Sequence, residues 1–332
     1  MQTSTLTHVH SFGELEHYRG ELTAYCYRML GSPFDAEDAV QDAFVRAWRG
    51  RDKFEGRSAM RSWLYRIATN VCLDMLKGKE RRERPMDMGP SCEPIEANLN
   101  VPAEVTWLEP IPLSLIAPDR DPADVAVASE SIRLAFVAAL QHLPAKQRAV
   151  LILREVLDWQ ATEVAELLDT SVQSVNSALQ RARATLAKSN QGGTDETVGL
   201  NRRQPLSAAD RAMLERYVAA FEAYDLSALT SLIKEDARQS MPPYDMWLSG
   251  RDDILKWWFG PGIGCEGSRV IPTISANGMP TFGQYKPSPD GGFDPWALQV
   301  LDVSGGRIGE FTFFLDTAKL FPLFGLPLHL DA

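Results

Sequence analysis

Cysteine is scarce in this chain. The four thiols, Cys26, Cys72, Cys92 and Cys265, include no Cys-x-x-Cys pair. Their scatter gives no zinc pattern and no disulfide framework, so reduced thiols, a cytoplasmic setting and no metal site are expected. Long hydrophobic runs are missing as well: none approaches the ~18 apolar residues of a transmembrane helix, and no membrane partner is expected. The stretch Met1–Phe12 lacks the basic start and apolar core of a secretion signal. An excess of positive charge is also absent, with 34 Lys+Arg against 44 Asp+Glu and a net charge of -10. Taken whole, that is the wrong sign for a protein that binds nucleic acid. What remains is an ordinary globular composition, 45% hydrophobic and 23% charged, in 332 residues. That length suits two or three domains.

The charge is unevenly spread. Residues 1–88 hold 14 Lys+Arg against 13 Asp+Glu, and residues 127–190 hold 7 against 6. Residues 89–126 hold 1 against 7, and residues 191–332 hold 12 against 18. The acidity therefore sits in one connector and in the C-terminal third. In the other two segments the basic residues cluster locally, as phosphate contact requires.

Periodicity divides the chain further. Residues 12–84 read as helices, with apolar sets Leu22, Tyr25, Met29, Leu30, then Ala39, Val40, Ala43, Phe44, Ala47, Trp48, then Trp63, Leu64, Ile67, Ala68, Val71, Cys72. The turn Gly31-Ser32-Pro33 parts the first two, and Gly56 marks a loop before the third. Residues 85–122 contain eight of the 21 prolines, which excludes a long helix and predicts an extended linker. Helices resume from about Asp124 to Lys188, and residues 189–206 read as a second linker. Beyond it, helical patterns at 208–223, 226–234 and 251–259 precede strand-like runs near 268–276, 296–303 and 307–315. Ser304-Gly305-Gly306-Arg307 reads as a hairpin turn. That is an α+β domain.

Residues Gln160 to Leu186 carry the sharpest local pattern. Val164, Ala165 and Leu168 make a short apolar face; a polar turn, Asp169-Thr170-Ser171, follows; Val172, Val175, Leu179 and Leu186 make the inner face of a second helix. Its outer face shows Gln173, Ser174, Asn176, Ser177, Gln180, Arg181 and Arg183. This is a helix-turn-helix pattern, whose second helix enters the major groove. Asn and Gln pair with adenine, and Arg with guanine or phosphate. An ordinary helical hairpin with a solvated face shares the pattern. The stretch from Leu143-Pro-Ala-Lys-Gln-Arg to Arg181-Ala-Arg resembles region four of sigma factors, which implies that this outer face meets a -35 promoter element. It departs from the family in holding Asn176 and Ala178 where Lys or Arg is common, and Asp169 where the turn often has Gly. Asp tolerates a left-handed backbone.

Phe34-Asp-Ala-Glu-Asp-Ala-Val-Gln-Asp-Ala-Phe-Val-Arg-Ala-Trp resembles sigma region two, and the likeness runs through Arg61-Ser-Trp-Leu-Tyr-Arg-Ile-Ala-Thr-Asn to Arg81-Arg82. The pair of segments resembles the group IV, or extracytoplasmic-function, sigma factors. The resemblance implies that Asp35, Glu37, Asp38, Gln41, Asp42 and Phe44 meet core RNA polymerase. Helix capping and dipole charge account for one or two of these acids unaided. It further implies that Phe54, Arg61, Trp63, Arg66, Asn70, Lys77 and Arg81 contact the -10 element. Rings and cations together suit unpaired bases and their backbone. Trp63 reads equally as a core residue, and Lys77, Lys79, Arg81, Arg82 and Arg84 alone would read as a solvated helix end.

In the family the acidic linker threads the positively charged polymerase channel. A plain disordered tether is the other reading. Trp107-Leu-Glu-Pro resembles a short motif of sigma factors with an extra C-terminal domain. Residues 207–332 resemble SnoaL-like members of the NTF2-like superfamily, on Leu214-Glu-Arg-Tyr-Val-Ala-Ala-Phe, Gly250-Arg-Asp-Asp-Ile and the terminal strands. Trp247, Trp257, Trp258, Phe259, Phe282, Trp296 and Phe313 line a pocket or fill a core. Asp236, Asp245 and Asp252 lack an evident partner for His329, so no catalytic residue is assigned.

The expected architecture is multidomain: two all-α sigma domains, a region 2 helical bundle (1–88) and a region 4 helix-turn-helix (128–190), plus an α+β NTF2-like, SnoaL-like cone (207–332). The connectors are 89–127 and 191–206. The expected function is that of a sigma factor, not an enzyme, without cofactor or metal. Its partners are core polymerase (clamp and flap) and promoter DNA, with a small ligand or an intramolecular contact tuning the C-terminal domain. No particular anti-sigma factor is implied. The alternatives are a ligand-responsive one-component regulator and a SnoaL-like cyclase or isomerase fused to a DNA-binding module. Neither needs the region 2 helix.

Overall fold

The computed structural model describes residues 12–51, 60–117, 131–189 and 206–331. These fold as two units. Residues 12–82 with 108–189 form one, and residues 83–107 with 206–331 form the other.

The first unit is helical. Helices α1 (Phe12–Glu16), α2 (Arg19–Leu30), α3 (Pro33–Gly50) and α4 (Met60–Met75) make the N-terminal bundle. Ser32 caps α3 by accepting the Asp35 N–H at 3.3 Å, and Pro33 occupies the first turn, where its missing N–H costs nothing. Gly31 ends α2 at φ 73°, where a Cβ would stand 2.9 Å from Leu108 Cδ1. Only glycine suits both demands. The apolar stripes bury as their period predicts: Leu22, Tyr25, Met29, Val40, Ala43, Phe44, Leu64, Ala68 and Val71 are all core. After the one-turn α5 (Pro85–Met88), which belongs to the second unit, come α6 (Leu134–Gln141), α7 (Ala145–Leu151), α8 (Ala161–Leu167) and α9 (Val172–Ser189). A π-helical turn, Ile152–Val156, ends the α7 segment.

Two arginines cross the interior of this unit. Arg28 of α2 donates from Nε to the Ser131 carbonyl at 3.0 Å and from Nη2 to the Ser131 hydroxyl. Arg148 of α7 donates to the Met29 carbonyl, to Gln141 Oε1 at 2.7 Å, and to the carbonyls of Gln141 and Leu143 at 3.0 and 3.1 Å. Both are buried, and burial pushes each guanidinium down to about 10. The N-terminal and C-terminal helical segments are thus bolted together by charged donors on neutral oxygens.

The second unit is α+β. Helices α10 (Ala208–Glu222), α11 (Leu226–Leu232), α12 (Arg251–Trp258) and α13 (Thr317–Leu323) accompany a six-stranded sheet. The strands are β1 (Ile233–Ser240), β2 (Trp247–Ser249), β3 (Arg269–Pro272), β4 (Thr281–Pro287), β5 (Phe293–Ser304) and β6 (Arg307–Phe314), in spatial order β2-β1-β6-β5-β4-β3. Only β1 and β6 run parallel. Gly305 and Gly306, at φ 62° and 69°, turn β5 into β6 with Ser304 opposite Arg307. The pattern at 226–234 predicts helix, yet from Ile233 the chain is strand. Lys234-Glu-Asp-Ala-Arg favours a helix in isolation, but pairing with β6 and β2 overrides it. The core gathers Tyr217, Phe221, Trp258, Phe282, Phe311 and Phe313. The stretch expected as a free linker is divided. Residues 108–117 pack in the first unit, with Leu108, Ile111 and Ile116 buried, whereas 83–107 fold with the sheet. Among the described residues no helix is long and apolar enough to cross a membrane.

Candidate nucleic-acid interface

The helix-turn-helix is built from α8 and α9. Gln160 opens α8 in a capping box, its own N–H bonded to Glu163 Oε2 at 2.7 Å. Asp169 takes φ 49°, the left-handed turn that its short polar side chain tolerates, and Thr170 N–H returns to the Ala165 carbonyl at 2.9 Å. Ser171 then accepts the Ser174 N–H at 3.1 Å. Val175, Leu179, Ala182 and Leu186 are buried, and Gln173, Ser174, Asn176, Gln180, Arg181 and Arg183 are exposed, with Ser177 half-buried. Val172, expected on the inner face, is exposed because it lies in the first turn, ahead of the contact with α8. Arg183 is braced by Glu155 of the π turn, its Nε 2.6 Å from Oε1.

On α4, Arg66 and Asn70 are exposed and Trp63 is half-buried. Arg61 is ion-paired to Glu21 at 2.9 Å and lies over the Tyr65 ring at 5.2 Å. Burial works against its charge, and Tyr65 with Glu21 outweighs that, so the guanidinium titrates above its ordinary value. Lys77 is exposed and pairs with Asp74 at 2.7 Å, and Arg81 meets His142 Nδ1 at 2.6 Å. Phe54 lies outside the described residues. The basic run is not one solvated end: Arg82 turns inward between Asp35 at 2.8 Å and Glu109 at 3.3 Å, and Arg84 belongs to the second unit.

Helix α4 also meets α8. Arg66 Nη2 donates to the Glu166 carbonyl at 2.8 Å, and the Tyr65 and Trp159 rings stand 5.2 Å apart. Sequence patterning missed this, because nothing in local spacing reports a contact between residues a hundred positions apart.

The acids of α3 divide. Asp35 is taken by Arg82, and Asp42 by Arg46 at 2.8 Å. Glu37, Asp38 and Gln41 are exposed on one side of the helix. Phe44 is fully buried beneath the Arg19 guanidinium, 5.0 Å from its ring centroid, so it supports this face from within.

In the core of the second unit four neutral side chains form a hydrogen-bonded row. Tyr217 donates to Gln299 at 2.9 Å, Gln299 to Gln284 at 2.9 Å, and Gln284 to Ser268 at 3.0 Å. Of the aromatics, Trp257, Trp258, Phe282 and Phe313 are buried and Trp296 is exposed. His329 pairs with Asp294 at 3.1 Å, both well exposed, and not with Asp236, Asp245 or Asp252. The sequence pattern starts this strand near 296, whereas β5 begins at Phe293 and so includes Asp294. Among the described residues no group of three or more His, Cys, Asp or Glu could hold a metal ion.

Residues 15–82 match Sigma-70 region 2, and residues 133–186 match Sigma-70, region 4. The chain is 45% identical over 319 residues to the ECF RNA polymerase sigma factor SigG of Mycobacterium tuberculosis (strain ATCC 25618 / H37Rv), covering 94% of this chain and 82% of that one. It is 30% identical over 263 residues to SigJ of the same strain, covering 75% and 74%. The crystal structure of Mycobacterium tuberculosis SigJ matches at a TM-score of 0.59 and 23% identity over 96% of this chain and all of that one, a likeness of fold. With helix-turn-helix, region 2 bundle and C-terminal α+β unit all in place, the chain belongs to the ECF RNA polymerase sigma factors.

Proposed function

We propose a residue-level division of the sigma factor's work. Helix α4 reads the unpaired -10 strand through Arg66, Asn70 and Trp63, with Arg61 positioned beside them. The outer face of α9, Gln173 to Arg183, reads the -35 duplex. Glu37, Asp38 and Gln41 meet the polymerase clamp. The observation that supports this best is the exposure pattern of α9. Its polar, base-pairing side chains stand outside, Ser177 alone of them half-buried, on a capped helix whose apolar side is buried against α7 and α8. A one-component regulator has no use for α4.

In the free chain α4 is held against α8 through Arg66 and the Tyr65–Trp159 ring pair. The reading is that this closed arrangement opens when core polymerase takes hold. Phosphate contact by Arg66 then replaces its bond to the Glu166 carbonyl. The C-terminal unit is assigned modulation rather than catalysis: the polar row through its core is neutral and self-bonded, and the His329–Asp294 pair lies exposed to solvent. A cytoplasmic location goes with the role. The test is co-elution of the full chain with core polymerase. The wild type is expected to co-elute and Asp38→Ala/Gln41→Ala to fall behind; equal co-elution would remove the clamp role from α3.

A further inference from the structure

The edge of the sheet in the second unit is occupied by the chain's own connector. Cys92 N–H donates to the Trp247 carbonyl of β2 at 3.0 Å, and Trp247 Nε1 donates to the Gly89 carbonyl at 2.9 Å. Asp245 N–H donates to the Asn100 carbonyl at 3.0 Å. Cys92 and Leu99 pack on the hydrophobic core of the sheet unit. Within the segment, Asn98 Nδ2 closes a loop onto the Glu93 carbonyl at 2.9 Å, and Arg84 grips Asp87 with two bonds of 3.0 Å. Burial opposes the charge on Arg84, and Asp87 with Glu310 of β6 restores it.

These contacts give the segment a seat at the sheet edge: one main-chain bond to β2, one from the Asp245 amide just before it, the Trp247 indole on the Gly89 carbonyl, and two side chains packed on the core. An edge strand left bare would pair with other chains. The bound segment, Gly89-Pro-Ser-Cys-Glu-Pro-Ile-Glu-Ala-Asn-Leu-Asn, carries two acids and no base, and it folds as a loop with a 3-10 turn at Glu96–Asn98. The same composition fits a positively charged channel. A segment held at β2 is not free to occupy such a channel at the same time.

We infer that the β2 edge with Trp247 is a binding site for an acidic, proline-containing loop segment, filled in the free protein by residues 89–100 and vacated when core polymerase draws that segment away. This rests on the sigma reading above and adds the exchange. The C-terminal unit then acts by competing for the connector, and its strength of grip sets how readily the chain loads. Beyond the boundary, Leu108 against Gly31 and the Tyr27 hydroxyl on the Glu109 carbonyl at 2.8 Å hold the next stretch within the helical unit, so the exchanging piece ends near Trp107.

The test is hydrogen exchange of the full chain, read on peptides covering 89–100, alone and with core polymerase. In the free chain the amide of Cys92 and its neighbours exchange slowly. Trp247→Ala and, from the other side, Leu99→Asp each speed that exchange by about tenfold or more, the loss of one good hydrogen bond with its packing. Amides of β5 and β6 stay unchanged and show that both variants fold. With core polymerase the wild-type segment loses its edge protection, and both variants give run-off transcripts at lower chain concentration than wild type. Free-peptide exchange rates in the wild-type chain alone would refute the site. Retained edge protection in a chain that co-elutes with polymerase and initiates would refute the exchange while leaving the sigma function intact. Failure to co-elute at all would refute the sigma reading, and the exchange with it.

Discussion

Arg148 and Arg28 offer a quantitative test of how the two helical segments are joined. Each guanidinium is buried and held down to about 10, which corresponds to roughly 3 kcal/mol of burial penalty apiece. Their compensation differs. Arg148 donates four hydrogen bonds to acceptors on three residues, one of them the Met29 carbonyl of α2. Arg28 serves Ser131 alone, whose hydroxyl can turn to another partner. Bonds from a charged donor contribute about 1.5–3 kcal/mol each, so four outweigh the penalty and two roughly cancel it. Arg148→Met should therefore destabilise the helical unit by about 3–5 kcal/mol, the usual result of stranding buried partners. Arg28→Met should change stability by about 1 kcal/mol or less, because methionine fills the space and removes the burial cost. Two separately folded units make a single unfolding curve unsafe. The assay is therefore hydrogen exchange of amides in α2 and α7, with the sheet amides as control. If Arg28→Met were as damaging as Arg148→Met, the counting of acceptors would be wrong. The pH dependence has a fixed sign. A cation whose folded pKa is lowered binds fewer protons folded than unfolded above about 10, so its burial cost is relieved as pH rises through that value. The wild type should gain on Arg28→Met above pH 10, and not below it.

Other outcomes follow from single contacts. Arg181→Ala should weaken promoter binding by about 1–3 kcal/mol at one base position if it reads a base, or uniformly if it meets phosphate. Binding measured on promoters mutated at single positions separates the two. Asp169→Gly should be neutral or stabilising by up to about 1 kcal/mol, since φ 49° suits glycine, whereas Asp169→Val should cost about 1–2 kcal/mol in thermal unfolding of the helical unit. Arg66→Ala should speed amide exchange in α8 of the free chain and also impair opening of the -10 element. Unchanged exchange would detach Arg66 from the closed arrangement.

The parts legible in the sequence were those governed by local rules. The 3.6-residue period placed Val175, Leu179 and Leu186 inside and Gln173 to Arg183 outside, and the turn chemistry of Asp169 and of Gly305-Gly306 held in the structure. Val172 escaped the rule because periodicity does not say where a helix stops touching its neighbour. The strand at Ile233–Ser240 was hidden by helix-forming residues that pairing overrides. The proline-rich stretch was legible as non-helical but not as bound, since the three hydrogen bonds that tie Gly89, Cys92 and Asn100 to the distant Asp245 and Trp247 leave no local trace. Among the promoter-facing residues, the motif supplied Arg66 and Asn70, but not Glu166, which holds Arg66 in the free chain. The acids of α3 were legible as a group, and only the structure separates Asp35, held by Arg82, and Asp42, paired at the surface with Arg46, from Glu37 and Asp38, which face solvent.

The most direct measurement is permanganate reactivity of thymines in a cognate -10 element, with the full chain and purified core polymerase. Enhanced reactivity there, lost in Asn70→Ala with co-elution retained, is the predicted result. A complex that assembles on the promoter but leaves those thymines stacked and unreactive would contradict the assignment of α4 to the unpaired strand.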